Sequence, residues 1–508
     1  MRPHPRDRDV LPRWRRLQTL PTSPEIRPLL SETQLPAKPS TEELDEKVAD
    51  WAQNRAAAFA VDLVGSALVL AEPEAAIDAA RFLLAESSST TSSQRLLAEA
   101  LLRSPDQPTL DLDAYVGGSQ DRQAVQDRLR RVRAALKQDP RDVLAWLDLA
   151  LAYTYLGLGQ KASRAIEVAL ALQPDSRVGL RSASRLFVHL GEPDRALNAL
   201  RRSKRTQSDP WLQAAEVAVS RLAGVPPKHA RRSRFEVTAR SHRPLDTAEL
   251  AAAVATAELR SGKSRSAAQV FRKGLEDPTE NAVAQAEWAS RALPGLIVPD
   301  HALNLELGYE ARARHYAAFG EWDKAVSDAW RWLLDEPFST AAALFGSYVA
   351  SIGADDPQEA ERMARVGTLS NPRDAALRNN LAFSLVLQGR LQEAEQELRV
   401  ARDLQTARHE PGLTATAGLL AYRQGDLARG RQLYLRAIEL GGESPTTDPR
   451  WLALVWIFHA REQLLAGAPE SHASLAAARD AAAKARTPEV ELWLQRLNDL
   501  AAAHPAGA

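Results

Sequence analysis

Along residues 143–174 the apolar positions fall at helical spacing twice in succession. Trp146, Leu149 and Tyr153 share one face at i, i+3 and i+7, and Gly157 follows where a left-handed residue ends a helix. After a short turn Ala162, Ile166 and Ala169 form a second stripe, which stops at Pro174 because a proline ring cannot comfortably continue a helix. The pattern predicts two antiparallel helices, A and B, crossing closely at the small residues Ala150, Ala162 and Ala169. Trp146 and Tyr153 then fill the space toward neighbouring units. One such hairpin cannot bury its own core.

Advancing the frame by 34 residues turns Gly157 into Gly191, Ala162 into Ala196, Tyr153 into Phe187 and Ile166 into Leu200, and stepping back turns Pro174 into Pro140. Turn, packing slots and helix stop recur together. The period resembles the tetratricopeptide repeat, a helix-turn-helix unit whose tandem copies stack into a right-handed superhelix. The best later copy runs from Asn379 to Ala401 and matches the family pattern at Asn380, Leu381, Ala382, Gly389, Ala394, Leu398 and Ala401. The expected fold is an all-α, right-handed α-solenoid of such repeats, in two arrays joined by an irregular junction.

Residues 1–40, rich in Pro and Arg with little periodicity, read as an extended arm that is either a disordered tail or, through Leu11, Trp14 and Leu17, a segment that docks on the solenoid or on a partner. Residues 41–120 form an N-terminal helical region with degenerate repeats: a helix from Thr41 to about Leu70, one from Pro73, one over Gln94–Arg103, with a flexible turn in the Ser/Thr run at 87–93. The first array covers 121–224, opening with a helix over Gln123–Lys137. At 225–245 two adjacent prolines and a basic run replace a helix B, marking an insertion or irregular helix at a junction. The second array covers 246–442, with turns at Gly262, Gly295, Gly320, Gly353, Gly389 and Gly425 and a distorted unit between 281 and 305. A helical cap covers 443–508, closing with a helix over Glu491–Leu500.

Composition narrows the chemistry. Lys plus Arg equals Asp plus Glu at 65 each, so no global field draws the chain to nucleic acid or a membrane. Cysteine is absent, which removes disulfides, thiolate metal sites and cysteine nucleophiles and fits a cytoplasmic setting. The basic start lacks the apolar core of a signal peptide, and the apolar run over residues 56–71 carries Asp62 and reads as a buried helix. The histidines show no metal spacing, His459 and Glu462 read as a surface or groove pair, and Gly157 with Gly159 reads as a turn rather than a phosphate loop. No nucleophile elbow or P-loop is present. The chain is expected to be no enzyme and to hold no cofactor and no metal.

The resemblance implies that helix A lines a concave groove in which partners lie as extended peptides or helices. The groove-facing residues are then Leu147, Leu151 and Tyr155 in the first clear unit, Arg181 and Arg185 in the next, and Asn380 farther along, the Asn matching one often used to hold a peptide backbone. An apolar floor beside two arginines suits a segment with hydrophobic and acidic residues. A second feature is the basic patch of Arg201, Arg202, Lys204, Arg205, Lys228, Arg231, Arg232, Arg234, Arg240 and Arg243. Two functions follow: a scaffold or adaptor binding one or more proteins in the groove, or a sensor or regulatory subunit that recognises nucleic acid or a peptide and signals to a separate effector.

Overall fold

A computed structural model describes residues 9–14, 41–70, 72–85, 90, 92–102, 122–238, 243–305, 307–405, 410–443 and 447–503. Arg8–Gly308 belong to one compact unit and Tyr309–Ala508 to another. Among the described residues all regular structure is helical, and no helix is long and apolar enough to cross a membrane.

The first unit contains α1 (Thr41–Gln53), α2 (Ala57–Leu70), α3 (Ile77–Ala85), α4 (Ser92–Leu102), α5 (Arg122–Gln138), α6 (Val143–Tyr155), α7 (Gly159–Leu172), α8 (Arg177–His189), α9 (Pro193–Arg202), α10 (Pro210–Leu222), α11 (Ala230–Thr238), α12 (Pro244–Arg260), α13 (Ser264–Gly274), α14 (Glu280–Ser290) and the single turn α15 (Asp300–Leu303). The second contains α16 (Tyr309–Ala318), α17 (Trp322–Asp335), α18 (Thr340–Tyr348), α19 (Pro357–Ser370), α20 (Ala375–Leu387), α21 (Leu391–Asp403), α22 (Pro411–Arg423), α23 (Leu427–Glu443), α24 (Pro449–Leu465), α25 (Ser471–Ala483) and α26 (Pro488–Ala503).

Local chemistry sets where these helices begin and end. Asp142, Ser176, Asp209, Thr279, Ser339, Asp374 and Asp448 each stand one residue before an A helix, and each side chain accepts a hydrogen bond from a backbone N–H of the first turn. At the other end Gly157, Gly191, Gly224, Gly262, Gly320, Gly389, Gly425 and Gly467 hold φ between 62° and 86°. The fourth residue of helix B is a fully buried alanine in α7, α9, α13, α17, α19 and α21, where a larger side chain would push the paired A helix away. A helices also pack on one another, α6 to α8 to α10 to α12 to α14 and α18 to α20 to α22 to α24, so each unit is a stack of hairpins.

Several elements depart from the expected register. The helix expected from Thr41 to Leu70 breaks after Gln53, and the one at Pro73 begins as a 3₁₀ turn over Pro73–Ala76. Most of the Ser/Thr run at 87–93 lies outside the described residues. At 225–245 the prolines stop regular structure only briefly: α11 forms beyond them and packs against both α10 and α12, which also touch each other. Gly295 is not left-handed; its carbonyl accepts from Arg272 Nη2 at 2.8 Å, which fastens the loop between α14 and α15 to α13. Gly353 is not left-handed either. It closes a π turn over Val349–Gly353 where a Cβ would stand 2.2 Å from the Trp322 ring, and the left-handed residue is Asp355, at φ 56°.

The pair His459 and Glu462, expected at a surface or groove, is buried in α24. His459 is surrounded by the rings of Tyr422, Tyr434 and Trp456 at 6.0, 5.2 and 6.0 Å, and Glu462 accepts from Arg423 Nη2 at 2.9 Å. Burial, and secondarily the charge of Arg431, pulls the His459 pKa down to about 4. Because the folded value lies below the unfolded one, this group's contribution is fully present above about pH 6.5 and is lost as pH falls toward 4. His189 in α8 behaves alike, lowered to about 4 by burial and by Arg185.

Two outcomes are expected. A Cβ at Gly389 meets nothing within 4 Å, so the cost of Gly389→Val is conformational alone. It should exceed about 1 kcal/mol, and Gly389→Asn should cost less; thermal melts with Val equal to Asn would contradict the assignment. Second, melting temperature should fall between pH 6.5 and 5, and His459→Gln should flatten that fall by removing one histidine that must stay neutral when folded. An unchanged slope would show that His459 titrates normally.

Candidate partner-binding groove

The A-helix face of the first unit carries a buried polar relay that spans four successive hairpins. Arg181 of α8 donates Nη2 to Glu249 Oε2 of α12 at 2.9 Å and Nη1 to the carbonyl of Trp211 in α10 at 3.1 Å. Its guanidinium lies over the Trp211 ring, 4.9 Å from the centroid. Asn281 of α14 donates Nδ2 to the other carboxylate oxygen of Glu249 at 3.2 Å. Arg181 and Glu249 are both 2% exposed, so each charge is neutralised by the other rather than by water. Beside this relay Gln285 of α14 donates to the Thr256 hydroxyl of α12 at 2.8 Å, and Ser233 of α11 donates to Gln213 of α10 at 3.1 Å.

An extended piece of the same chain, Asp9–Trp14, lies on this face. Asn281 Nδ2 also donates to the carbonyl of Leu11 at 2.8 Å, so one side-chain amide joins the relay to a peptide backbone. At one end the Asp9 carboxylate takes a two-pronged pair from the Arg221 guanidinium at the end of α10. Val10 and Trp14 are 1% and 2% exposed, and Pro12 and Arg13 are buried as well. Burial of four of its six residues shows that this segment without secondary structure is packed against the rest of the chain along most of its length. Leu17, the third apolar residue of the expected docking motif, lies outside the described residues.

The second unit covers its A-helix face differently, with its own last helix. Trp493 of α26 donates Nε1 to the Ile352 carbonyl at 2.7 Å, and its ring packs tilted against Phe458 of α24 with centroids 4.7 Å apart. Arg496 pairs with Asp355 at 3.0 Å, and Glu489 accepts from the Tyr348 hydroxyl at 3.4 Å and from Arg450 at 3.3 Å.

Against the residues singled out from sequence, Leu147, Leu151 and Tyr155 are buried on α6, Arg181 sits inside the relay, and Arg185 is half-buried beside His189. Asn380 is buried in α20, donating to the Ser347 hydroxyl of α18 at 3.0 Å, an inter-helix contact rather than an open donor. Within the basic patch Arg201 pairs with Glu216 at 2.9 Å, Arg205 with Asp209 at 3.0 Å, Arg232 with Glu236 at 3.3 Å, Arg234 with Glu258 at 3.1 Å and Arg243 with Asp246 at 3.4 Å. The backbone N–H of Lys228 donates to Glu216, while Arg202 and Lys204 are exposed. Arg240 and the Arg231 side chain lie outside the described residues. Glu249, Asn281 and Arg221 escaped the sequence reading, although Glu249 follows Arg181 by 68 residues, two repeat periods, and Asn281 follows Glu249 by 32. No cluster of three or more metal-ligating side chains occurs among the described residues.

No family model matches the sequence, and no curated protein does. Among solved structures, yeast Tom70 is similar at 14% identity over 77% of this chain and 94% of its own, with a TM-score of 0.31. The Cut9–Hcn1 hetero-tetramer of the APC/C is similar at 12% identity over 91% of this chain and 85% of its own, TM-score 0.39. A tetratricopeptide repeat protein from Parabacteroides merdae is similar at 15% identity over 63% and 98%, TM-score 0.31. Because the left-handed glycine, the buried alanine four residues into helix B and the stacking of A on A recur in this chain at the period its sequence shows, its fold is a stack of tetratricopeptide-like helix-turn-helix repeats.

Proposed function

We propose that the chain is a non-enzymatic adaptor whose first unit binds an extended segment of a partner protein on its A-helix face, where its own residues 9–14 lie. The observation that carries this reading is the Asn281 amide bonded to the Leu11 carbonyl at 2.8 Å. A side-chain amide that takes a main-chain carbonyl recognises extended backbone of any sequence, while neighbouring pockets select side chains. Here Val10 and Trp14 are the buried side chains of the segment, and Arg221 takes the carboxylate at the first position. The favoured partner segment therefore carries an acid, then apolar residues, and an aromatic residue about five positions on. In this reading the adaptor works in a reducing cytoplasm, with which a chain lacking cysteine is compatible.

In this reading the segment competes with any partner, because belonging to the same chain raises its effective concentration at the groove. A fluorescein-labelled peptide with the sequence of residues 8–15 should bind the Trp14→Ala chain at least tenfold more tightly than the wild type, since the variant holds its own segment less well. Adding Asn281→Ala should remove most of that binding. Adding Arg221→Ser, at a partly exposed position, should weaken it without disturbing the fold. Equal, weak anisotropy changes for wild type and Trp14→Ala would exclude the groove as a peptide site.

A further inference from the structure

Where α5, α6 and α7 meet, on residues the groove does not use, an open pocket of about 560 Å³ is walled by the rings of Trp146 and Tyr153 and rimmed by Arg133, Lys137, Lys161 and Arg164. Among the described residues no acidic side chain lines it, and none of these four cations forms an ion pair. This is unusual for a chain in which most groove and junction arginines meet a carboxylate.

The next interface along shows what is missing. One period on, Trp146 becomes Leu180 and Tyr153 becomes Phe187, which are 1% and 3% exposed, whereas Trp146 and Tyr153 are half-buried. There Arg195 lies 4.3 Å over the Phe187 ring and pairs with Glu167 and Glu192. In the first interface the equivalent of Arg195 is Lys161, 5.9 Å over Tyr153, but the equivalent of Glu167 is Arg133 and that of Glu192 is Leu158. Both acids are gone, and one is replaced by a cation. A packing seam held by an ion pair elsewhere is here left open with like charges on its rim, a destabilising arrangement that a bound anion relieves. The Trp146 indole N–H is already satisfied by the Pro140 carbonyl at 2.8 Å, so the ring offers apolar surface.

We propose that this pocket binds a short acidic segment of a partner protein, with a bulky apolar side chain against Trp146 and Tyr153 and carboxylates on the four cations. The pocket is of the size that buries one or two side chains. A nucleic acid would need a basic track following its backbone, and these cations form one cluster on a chain of zero net charge.

The test uses the full chain and a fluorescein-labelled peptide in which leucine and phenylalanine alternate with glutamate pairs. Binding should weaken as salt is raised and should fall at least tenfold when the glutamates are replaced by glutamine. Arg133→Glu restores the ion pair seen in the next interface, now with Lys161. It should keep or raise the melting temperature while costing at least tenfold in affinity, a combination that a merely structural role does not produce. Asn281→Ala should leave this binding unchanged, which separates it from the groove. The proposal is overturned if the glutamine peptide binds equally, if Arg133→Glu retains wild-type affinity, or if single-stranded oligo-dT binds more tightly than the acidic peptide.

Discussion

Each A–B hairpin packs its two helices together and still presents an apolar face that only another element can cover. Wherever a further hairpin follows, the cover is regular, with a small residue at the crossing and the next A helix laid alongside. The exceptions are where the molecule becomes individual. In the second unit α26 supplies cover with Trp493, and in the first unit Asp9–Trp14 does so without any secondary structure. Beside α5 the described residues leave an open pocket, and cations stand at its edge.

The Arg181–Glu249 pair shows how a polar interaction is tolerated in such a stack. Two charges withdrawn from water gain little net stability from one another, whereas leaving either one alone costs about 3–5 kcal/mol. The pair therefore fixes geometry more than it adds stability: α8, α10 and α12 are held in one register, and Asn281 is oriented because one of its amide hydrogens is committed to Glu249. A peptide-holding amide on a free rotamer would lose entropy on binding, and this one has already lost it.

The repeat class, the helix over Arg122–Gln138 and most of the left-handed turn glycines were legible because they follow from local spacing. Gly353 misled for a local reason of its own: glycine there admits the Trp322 ring, and the chain reverses two residues later at Asp355. The relay was not legible because its members are separated by 68, 32 and 270 residues, and periodicity reports which face a residue shares, not which partner meets it. Arg181 was placed on the A-helix face from its spacing, but whether water or Glu249 receives its charge is decided by a helix two repeats away. The partners of the basic patch were hidden for the same reason, since its acids lie on α10, α11 and α12 as well as in the run itself.

Stacked repeats with loose ends behave as springs that stretch and fray from their termini. In the second unit the last helix returns to an early one, joining Trp493 to Ile352 across 141 residues of sequence. Pulling on the chain beyond α26 therefore loads the seam with the π turn before it can peel α25 or α24, and the hairpins between them are shielded in parallel. The unit is in effect a closed buckle, stiff up to the force that opens the contacts of Trp493, Arg496 and Glu489 and compliant only after they have let go.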